Sequence, residues 1–243
     1  MIKGVYLVLW VCAVFQAQQP RPAPDVAAFV HWYGHASFRL QDGDSQIYID
    51  PWKVPANAPL ADIVLVTHSH FDHYAPATIA RLVKGNTRLI APPDVIAQAQ
   101  KTRDLDALRQ KRESLIPISP GDTVSIGGIQ IVAVPAYNVG KEFHKRENRW
   151  VGYVVRLQRG EVVYHAGDTD FIPEMRGIHL DVALLPIGGT YTMGAEEAAK
   201  AVEAMRPRVV VPMHYGDIVG GPKDVELLRQ RVGERVVALT VEK

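Results

Sequence analysis

The sequence predicts an α/β protein: two β-sheets packed together, with helices on the outside. Three observations carry this. Short apolar runs rich in Val, Ile and Leu recur along the chain, bounded by Gly, Pro and Asp turns. Amphipathic segments of helical period fall between and after them. Several apolar runs end abruptly in clusters of His and Asp, as strands do where a chain delivers functional groups to one edge of a sheet.

Residues 29–33, 37–40 and 46–49 read as short strands, broken by Gly34 and by the turn Gln41-Asp42-Gly43-Asp44. Residues 62–66, Asp-Ile-Val-Leu-Val, form the next strand and read as buried on both faces. A helix follows over 76–83, ended by Gly85. Residues 88–91 are a strand, and Pro92-Pro93 opens a helix toward Lys101. Hairpins are expected for 123–126 with 130–134 around Gly127-Gly128, and for 151–157 with 162–165 around Arg159-Gly160. Residues 181–185, 209–211 and 236–241 complete the strands. Helices over 195–205 and 222–231 lie among them, the second stopped by Gly233.

At 243 residues, 47% hydrophobic and 22% charged, the composition is that of an ordinary globular chain, best read as one domain over residues 25–243. The net charge of +1 provides no field to recruit nucleic acid or an anionic membrane, so selection falls to a local site and a small-molecule substrate. Oligomeric state is not legible. Residues 1–17 differ: Lys3, then an apolar core to Phe15, then a polar exit before a Pro-rich stretch, the pattern of a signal peptide. That pattern implies a periplasmic or secreted protein. Phe15 departs from the small-x-small cleavage rule, which leaves an uncleaved anchor as the alternative and, with it, a membrane partner. Cys12 is the only cysteine, so a processed chain has no thiolate for a disulfide, a metal or a nucleophile.

The densest chemistry is Thr67-His68-Ser69-His70-Phe71-Asp72-His73, directly after the buried strand 62–66. Imidazoles and carboxylates are the ligands that suit zinc and similar divalent ions. Packing alone does not explain such a cluster, because each neutral ring needs partners for two nitrogens. Further ligand types follow other strands: Asp168 after Gly167, and His214 after Val209-Val210-Val211-Pro212-Met213. Each has a plainer reading, a turn Asp in Gly-Asp-Thr-Asp and a hydrogen-bonded strand-end His.

Taken together, His68-Ser69-His70-Phe71-Asp72-His73, Gly167-Asp168-Thr169 and His214 resemble the metallo-β-lactamase superfamily. The likeness runs from Gly34-His35 to His214 and includes Asp50-Pro51, the carboxylate that supports the metal loop from behind. Gly34-His35-Ala36-Ser37-Phe38, His165-Ala166-Gly167-Asp168-Thr169 and Leu185-Pro186-Ile187-Gly188-Gly189 with Tyr191-Thr192-Met193-Gly194 are similar to one branch. It holds the L-ascorbate-6-phosphate lactonase-like hydrolases and N-acylphosphatidylethanolamine phospholipase D. The resemblance implies a four-layer αβ/βα sandwich with two divalent metal ions at one edge, zinc first, with Mn2+ or Fe2+ as alternatives. It implies His68 and His70 on metal one, Asp72, His73 and His214 on metal two, Asp168 bridging, and Asp72 as the catalytic residue that orients or deprotonates the attacking water.

One ligand departs from the pattern. The family usually gives metal one a third His after the strand 130–134, where this chain has Asn138. His144 lies six residues on and is the favoured third ligand, with Asn138 or water as alternatives. His165 and His35 are read as supporting or core residues, Tyr191 as a substrate donor or a packing residue, and the charges over 141–149 as a solvated loop or the receiver of an anionic substrate.

The expected function is a metal-dependent hydrolase that uses a two-metal-activated hydroxide on an ester, lactone or phosphodiester. The alternatives are a non-catalytic metal-binding module and a true β-lactam hydrolase. Open-site ligand types argue against the module. β-Lactam hydrolases usually carry Cys, or Ser with an extra His, where Asp168 stands. Redox members place Glu where His70 stands.

Overall fold

A computed structural model describes residues 22–111 and 113–243; the signal-like segment 1–17 and Cys12 lie outside them. Two six-stranded sheets face each other. The first runs in sequence order: β1 (Val30–Trp32), β2 (Phe38–Asp42), β3 (Ser45–Ile49), β4 (Ala61–Leu65), β5 (Val83–Ala91) and β6 (Leu115–Pro117). Its first two pairings are antiparallel and the rest parallel. The second holds β7 (Thr123–Ile126), β8 (Ile129–Pro135), β9 (Val151–Arg156), β10 (Val162–His165), β11 (Val182–Pro186) and β12 (Val209–Met213). Here β7 to β10 pair antiparallel, and β10, β11 and β12 run parallel.

Strand alternation sorts side chains into two cores. Along β4, Ile63 and Leu65 join the core between the sheets, while Val64 joins a second core. Ile47 and Ile49 of β3 do the same, with Tyr48 on the other side. A two-residue period on a strand covered on both faces explains why 63–66 is apolar throughout. The second core lies under α1 (Pro76–Leu82), α2 (Pro93–Ala99) and the short α3 (Asp106–Arg109), through Ile79, Val95 and Leu108. On the far side, α4 (Ala195–Met205) and α5 (Pro222–Val232) cover the second sheet with Ala198, Val202, Val225 and Leu228. The layers are helix, sheet, sheet, helix, the αβ/βα sandwich. Among the described residues, no helix is long and apolar enough to cross a membrane.

Proline opens α1, α2 and α5, where its missing N–H is no loss. The element reading departs from the structure in four places. Helix α1 ends at Leu82 and β5 starts at Val83, so Gly85, expected to stop the helix, lies inside a strand expected only over 88–91. The strand expected over 236–241 is not formed. Val236 makes a lone bridge to Val210, and Glu242 N–H donates to the Trp32 carbonyl at 2.8 Å. The apolar run Val236-Val237-Ala238-Leu239 belongs to a segment that crosses from an edge of one sheet to an edge of the other and pairs along neither. The two additions, β6 and α3, are three and four residues long, too short to show a period.

Candidate metal centre

The site forms where β3, β4, β10 and β12 end. After β4 the chain turns through Thr67 and sets His68, His70, Asp72 and His73 on one loop. Asp50, just beyond β3, holds that loop from inside the protein. Thr67 N–H donates to Asp50 Oδ1 at 2.7 Å, and Thr67 O–H and His73 Nδ1–H both donate to Asp50 Oδ2 at 2.7 Å. Asp50 adopts φ 47°, and His35 and His214 also lie in the left-handed region. Three of the five such non-glycine residues described therefore border one site, where backbone strain is commonly held.

Asp168 sits after β10, past Gly167 with φ 64°. A Cβ on Gly167 would lie 2.9 Å from the Val151 carbonyl oxygen, so only glycine lets the turn pass between strands. His165 fixes the same turn: its Nδ1 accepts from Gly167 N–H at 3.2 Å while Nε2–H donates to the Ala36 carbonyl at 2.9 Å. His214 follows β12, its N–H donating to the His35 carbonyl at 3.0 Å. Gly188, beside it, has no room for a side chain, because a Cβ would strike the His214 carbonyl.

These side chains converge on Asp168. His214 Nε2 lies 3.0 Å and His144 Nε2 3.2 Å from its Oδ2, His73 Nε2 lies 3.3 Å from its Oδ1, and His68 Nε2 lies 3.9 Å from Oδ2. His68 Nε2 and His70 Nδ1 are 3.1 Å apart. Three overlapping groups have one ligand atom per residue, all within 4.8 Å of one another: His68, His70 and His144; His35, Asp72, His73 and His214; and His68, His73 and Asp168. All the sequence-predicted site residues are thus brought together. His35 joins them, its Nε2 3.0 Å from Asp72 Oδ2.

The surrounding hydrogen bonds leave nitrogens free to face inward. His73 spends Nδ1–H on Asp50, His68 spends Nδ1–H on Thr67 Oγ1 at 2.9 Å, and His144 spends Nδ1–H on Asn138 Oδ1 at 3.0 Å. Each arrangement puts a proton on Nδ1 and turns Nε2 inward, the atom a metal would take. His73 Nε2, His144 Nε2 and Asp168 Oδ1 are buried and accept or donate no hydrogen bond among the described residues. Buried polar atoms are rarely left so. Atoms this close with no hydrogen bond between them form a group that can hold a cation, and the donor set suits zinc or a similar divalent ion.

Asn138 is committed elsewhere. Its Oδ1 accepts from both the His144 N–H and the His144 ring, and its Nδ2 donates to Asp170 Oδ1 and the Tyr191 carbonyl. Both lone pairs of the amide oxygen are used. Four of the charges over 141–149 are also paired: Lys141 with Asp170, Lys145 with Glu142, and Arg146 with Glu174. Sequence reasoning missed Trp150, whose ring centre lies 4.9 Å from those of His68 and His70 and whose Nε1–H donates to Asp94 Oδ2 at 3.0 Å. No sequence signal marks it, since a Trp ahead of an apolar strand reads as core.

The electrostatics follow from packing. Burial, reinforced by His73, holds the His68 ring well below the ordinary imidazole pKa. Burial and His144 lower His70 likewise. Burial opposes charge on His73 too, but Asp168 and Asp50 on its two sides win and lift it well above the usual value. For Asp168, burial is outweighed by His214 and His73, which hold it well below the usual carboxylate range. Burial opposes charge on Asp72 as well, and the His35 hydrogen bond prevails to keep it low.

A four-layer sandwich with buried His and Asp gathered at its strand ends defines a class, the metal-dependent hydrolases. Comparison with known proteins agrees. A family model described as a β-lactamase superfamily domain matches residues 29–214. A UPF0173 metal-dependent hydrolase of Thermococcus kodakarensis is 37% identical over 227 residues, covering 88% of this chain and 96% of its own length. The crystal structure of a provisionally assigned metal-dependent hydrolase from Parabacteroides distasonis superposes with a TM-score of 0.74 at 32% identity, covering 88% of this chain and 93% of that one. Igni18, a metallo hydrolase from Ignicoccus hospitalis, gives 0.69 at 26% identity, with 88% and 95% covered. The chain belongs to the metallo-β-lactamase superfamily, and its relatives there are metal-dependent hydrolases.

Proposed function

We propose that this metal-dependent hydrolase works with two divalent ions, zinc first, on an ester, lactone or phosphodiester. His68, His70 and His144 would hold one ion, and Asp72, His73 and His214 the other, with Asp168 between them. The observation that supports this most is the set of buried, unpartnered atoms, His73 Nε2, His144 Nε2 and Asp168 Oδ1, turned toward one another.

Bound there, divalent metals lower the pKa of a coordinated water toward neutrality and polarise the oxygen of the group to be cleaved. The rest falls to the protein. Asp168, held ionised by His214 and His73, would offset the charge of the cations bound there. Asp50, Thr67 and Asn138 fix three imidazoles in the tautomer that points Nε2 inward. Asp72, kept ionised by His35, stands at the cavity as acceptor for the proton of the attacking water and hands it to the leaving oxygen.

Residues 1–17 would export the chain to a periplasmic or extracellular setting, and 25–243 would be the hydrolase domain. The test is elemental analysis with a hydrolysis screen on wild type, Asp168→Ala and His70→Ala. Two metals per chain and turnover in the wild type, with turnover lost in both variants, is the expected result. Metal bound without hydrolysis of any ester, lactone or phosphodiester would move the protein to the class of metal-binding modules.

A further inference from the structure

Beside the ligand cluster lies a cavity of about 260 Å3. Its floor is His70, Asp72, His144, Asp168 and His214; its rim is Phe71, Phe143, Tyr191 and Ile218. Phe71 is 69% exposed, Phe143 46% and Ile218 41%. Of the six large apolar side chains exposed among the described residues, these three and Val139 lie on loops that also carry ligand residues. Phe71 lies between His70 and Asp72, Phe143 precedes His144, and Ile218 follows His214. The rings of Phe143 and Tyr191 meet edge to face at 4.7 Å, and Phe71 meets Trp52 the same way at 5.9 Å. Scattered exposed apolar groups are ordinary, but a contiguous set around a polar floor marks a ligand site. No Lys or Arg lines the cavity. The nearby cations are occupied: Lys53 by Asp217, Lys141 by Asp170 and Arg146 by Glu174. The metal ions proposed for the floor would face the bond to be cleaved, and an anionic group elsewhere on the substrate would find no cation along the wall.

We infer that the substrate is an uncharged carboxylic ester or lactone whose apolar acyl chain or ring substituent is received by Phe71, Phe143 and Ile218. This rests on the hydrolase reading above and chooses among its substrate classes. The reaction needs water alone. Its oxygen bonds to the acyl carbon, the bond from that carbon to the alcohol oxygen breaks, and the proton released passes by way of Asp72 to that oxygen. The cavity is small for a ligand pocket, which favours short chains and leaves part of a longer one in water.

The experiment measures kcat/KM of the zinc-loaded enzyme on p-nitrophenyl acetate, butyrate and hexanoate, on γ-lactones with and without an alkyl substituent, and on bis(p-nitrophenyl) phosphate. Full burial of a methylene would give about fourfold each; an open rim should give about half that, or on the order of tenfold from acetate to hexanoate. The double variant Phe71→Ala/Phe143→Ala should bring that ratio close to one while binding as much metal as the wild type. Phe143→Leu should keep most of the ratio. Leu60→Ala, exposed at the opposite end of β4, should leave it unchanged. A ratio that stays flat with chain length, or survives the double variant, overturns the inference, as does a phosphodiester cleaved faster than the best ester; either leaves the two-metal hydrolase standing. Zinc bound with no turnover on any of these compounds removes both.

Discussion

Either side of Asp168 the site is built differently. On one side, His73 is gripped by Asp50 and Asp72 by His35, and Asp50, His35 and His73 have no solvent exposure at all. Their ligand atoms ride on strand ends and on a tight loop pinned by Thr67. On the other side, His70 is half-buried, and His144 hangs on the loop between β8 and β9, held by the amide of Asn138 and covered by Trp150. On the two-metal reading, the first half would hold its ion whatever the loop does, and the affinity of the second would depend on how one long connection is fastened. Phe143 stands next to His144 on that connection, so the proposed acyl contact and the proposed ligand share one loop.

Asp168→Ala attacks the element both halves share. It removes the one carboxylate between them and should lower kcat/KM by about a thousandfold or more, as loss of several kcal/mol of charge stabilisation does. Steady-state kinetics on the best ester measure it. Next comes Asp50→Ala, which strikes the half around His73 first and reaches His68 only through Thr67. Thr67 N, Thr67 Oγ1 and His73 Nδ1 would lose their acceptor in a buried place, at about 1–3 kcal/mol each, so thermal unfolding should fall well before metal-one occupancy does. A variant as stable as wild type would show that Asp50 does not organise this half.

Asn138→Ala strikes the other half. It frees the His144 ring and backbone, and metal-one affinity should weaken about tenfold to a hundredfold, with the other site unchanged. Competition with a chelator of known affinity separates the two sites. The smallest effect is expected for Trp150→Phe. It keeps a ring over His68 but loses the bond to Asp94, worth about 1 kcal/mol and therefore about 2–4 °C in Tm.

The same contrast governs what could be read from the sequence. Asp72, His73 and their neighbours are compact in the chain, so the spacing His68-x-His70-x-Asp72-His73 declared them. Asp168 and His214 were legible because each ends an apolar strand. His144 has no such address: its position is set by Asn138, which has the ligand-capable group at the expected place and spends it instead on holding His144. His35 and Trp150 act by contacts that span 37 and more residues, which no local pattern records. In the fold, both sheets and the four longer helices were legible from period and turns, because burial on both faces makes a strand apolar throughout. The crossing segment 236–241 looked like a strand because an apolar run reports contact with a core, not a hydrogen-bonded neighbour.

The most direct test is calorimetric titration of the metal-free chain with zinc, for wild type, His144→Ala and His214→Ala. Two sites in the wild type and one in each variant are expected, the survivor in His144→Ala being the tighter one. A single site in the wild type, or two sites retained when either histidine is gone, would contradict a pair of cations held on opposite sides of Asp168.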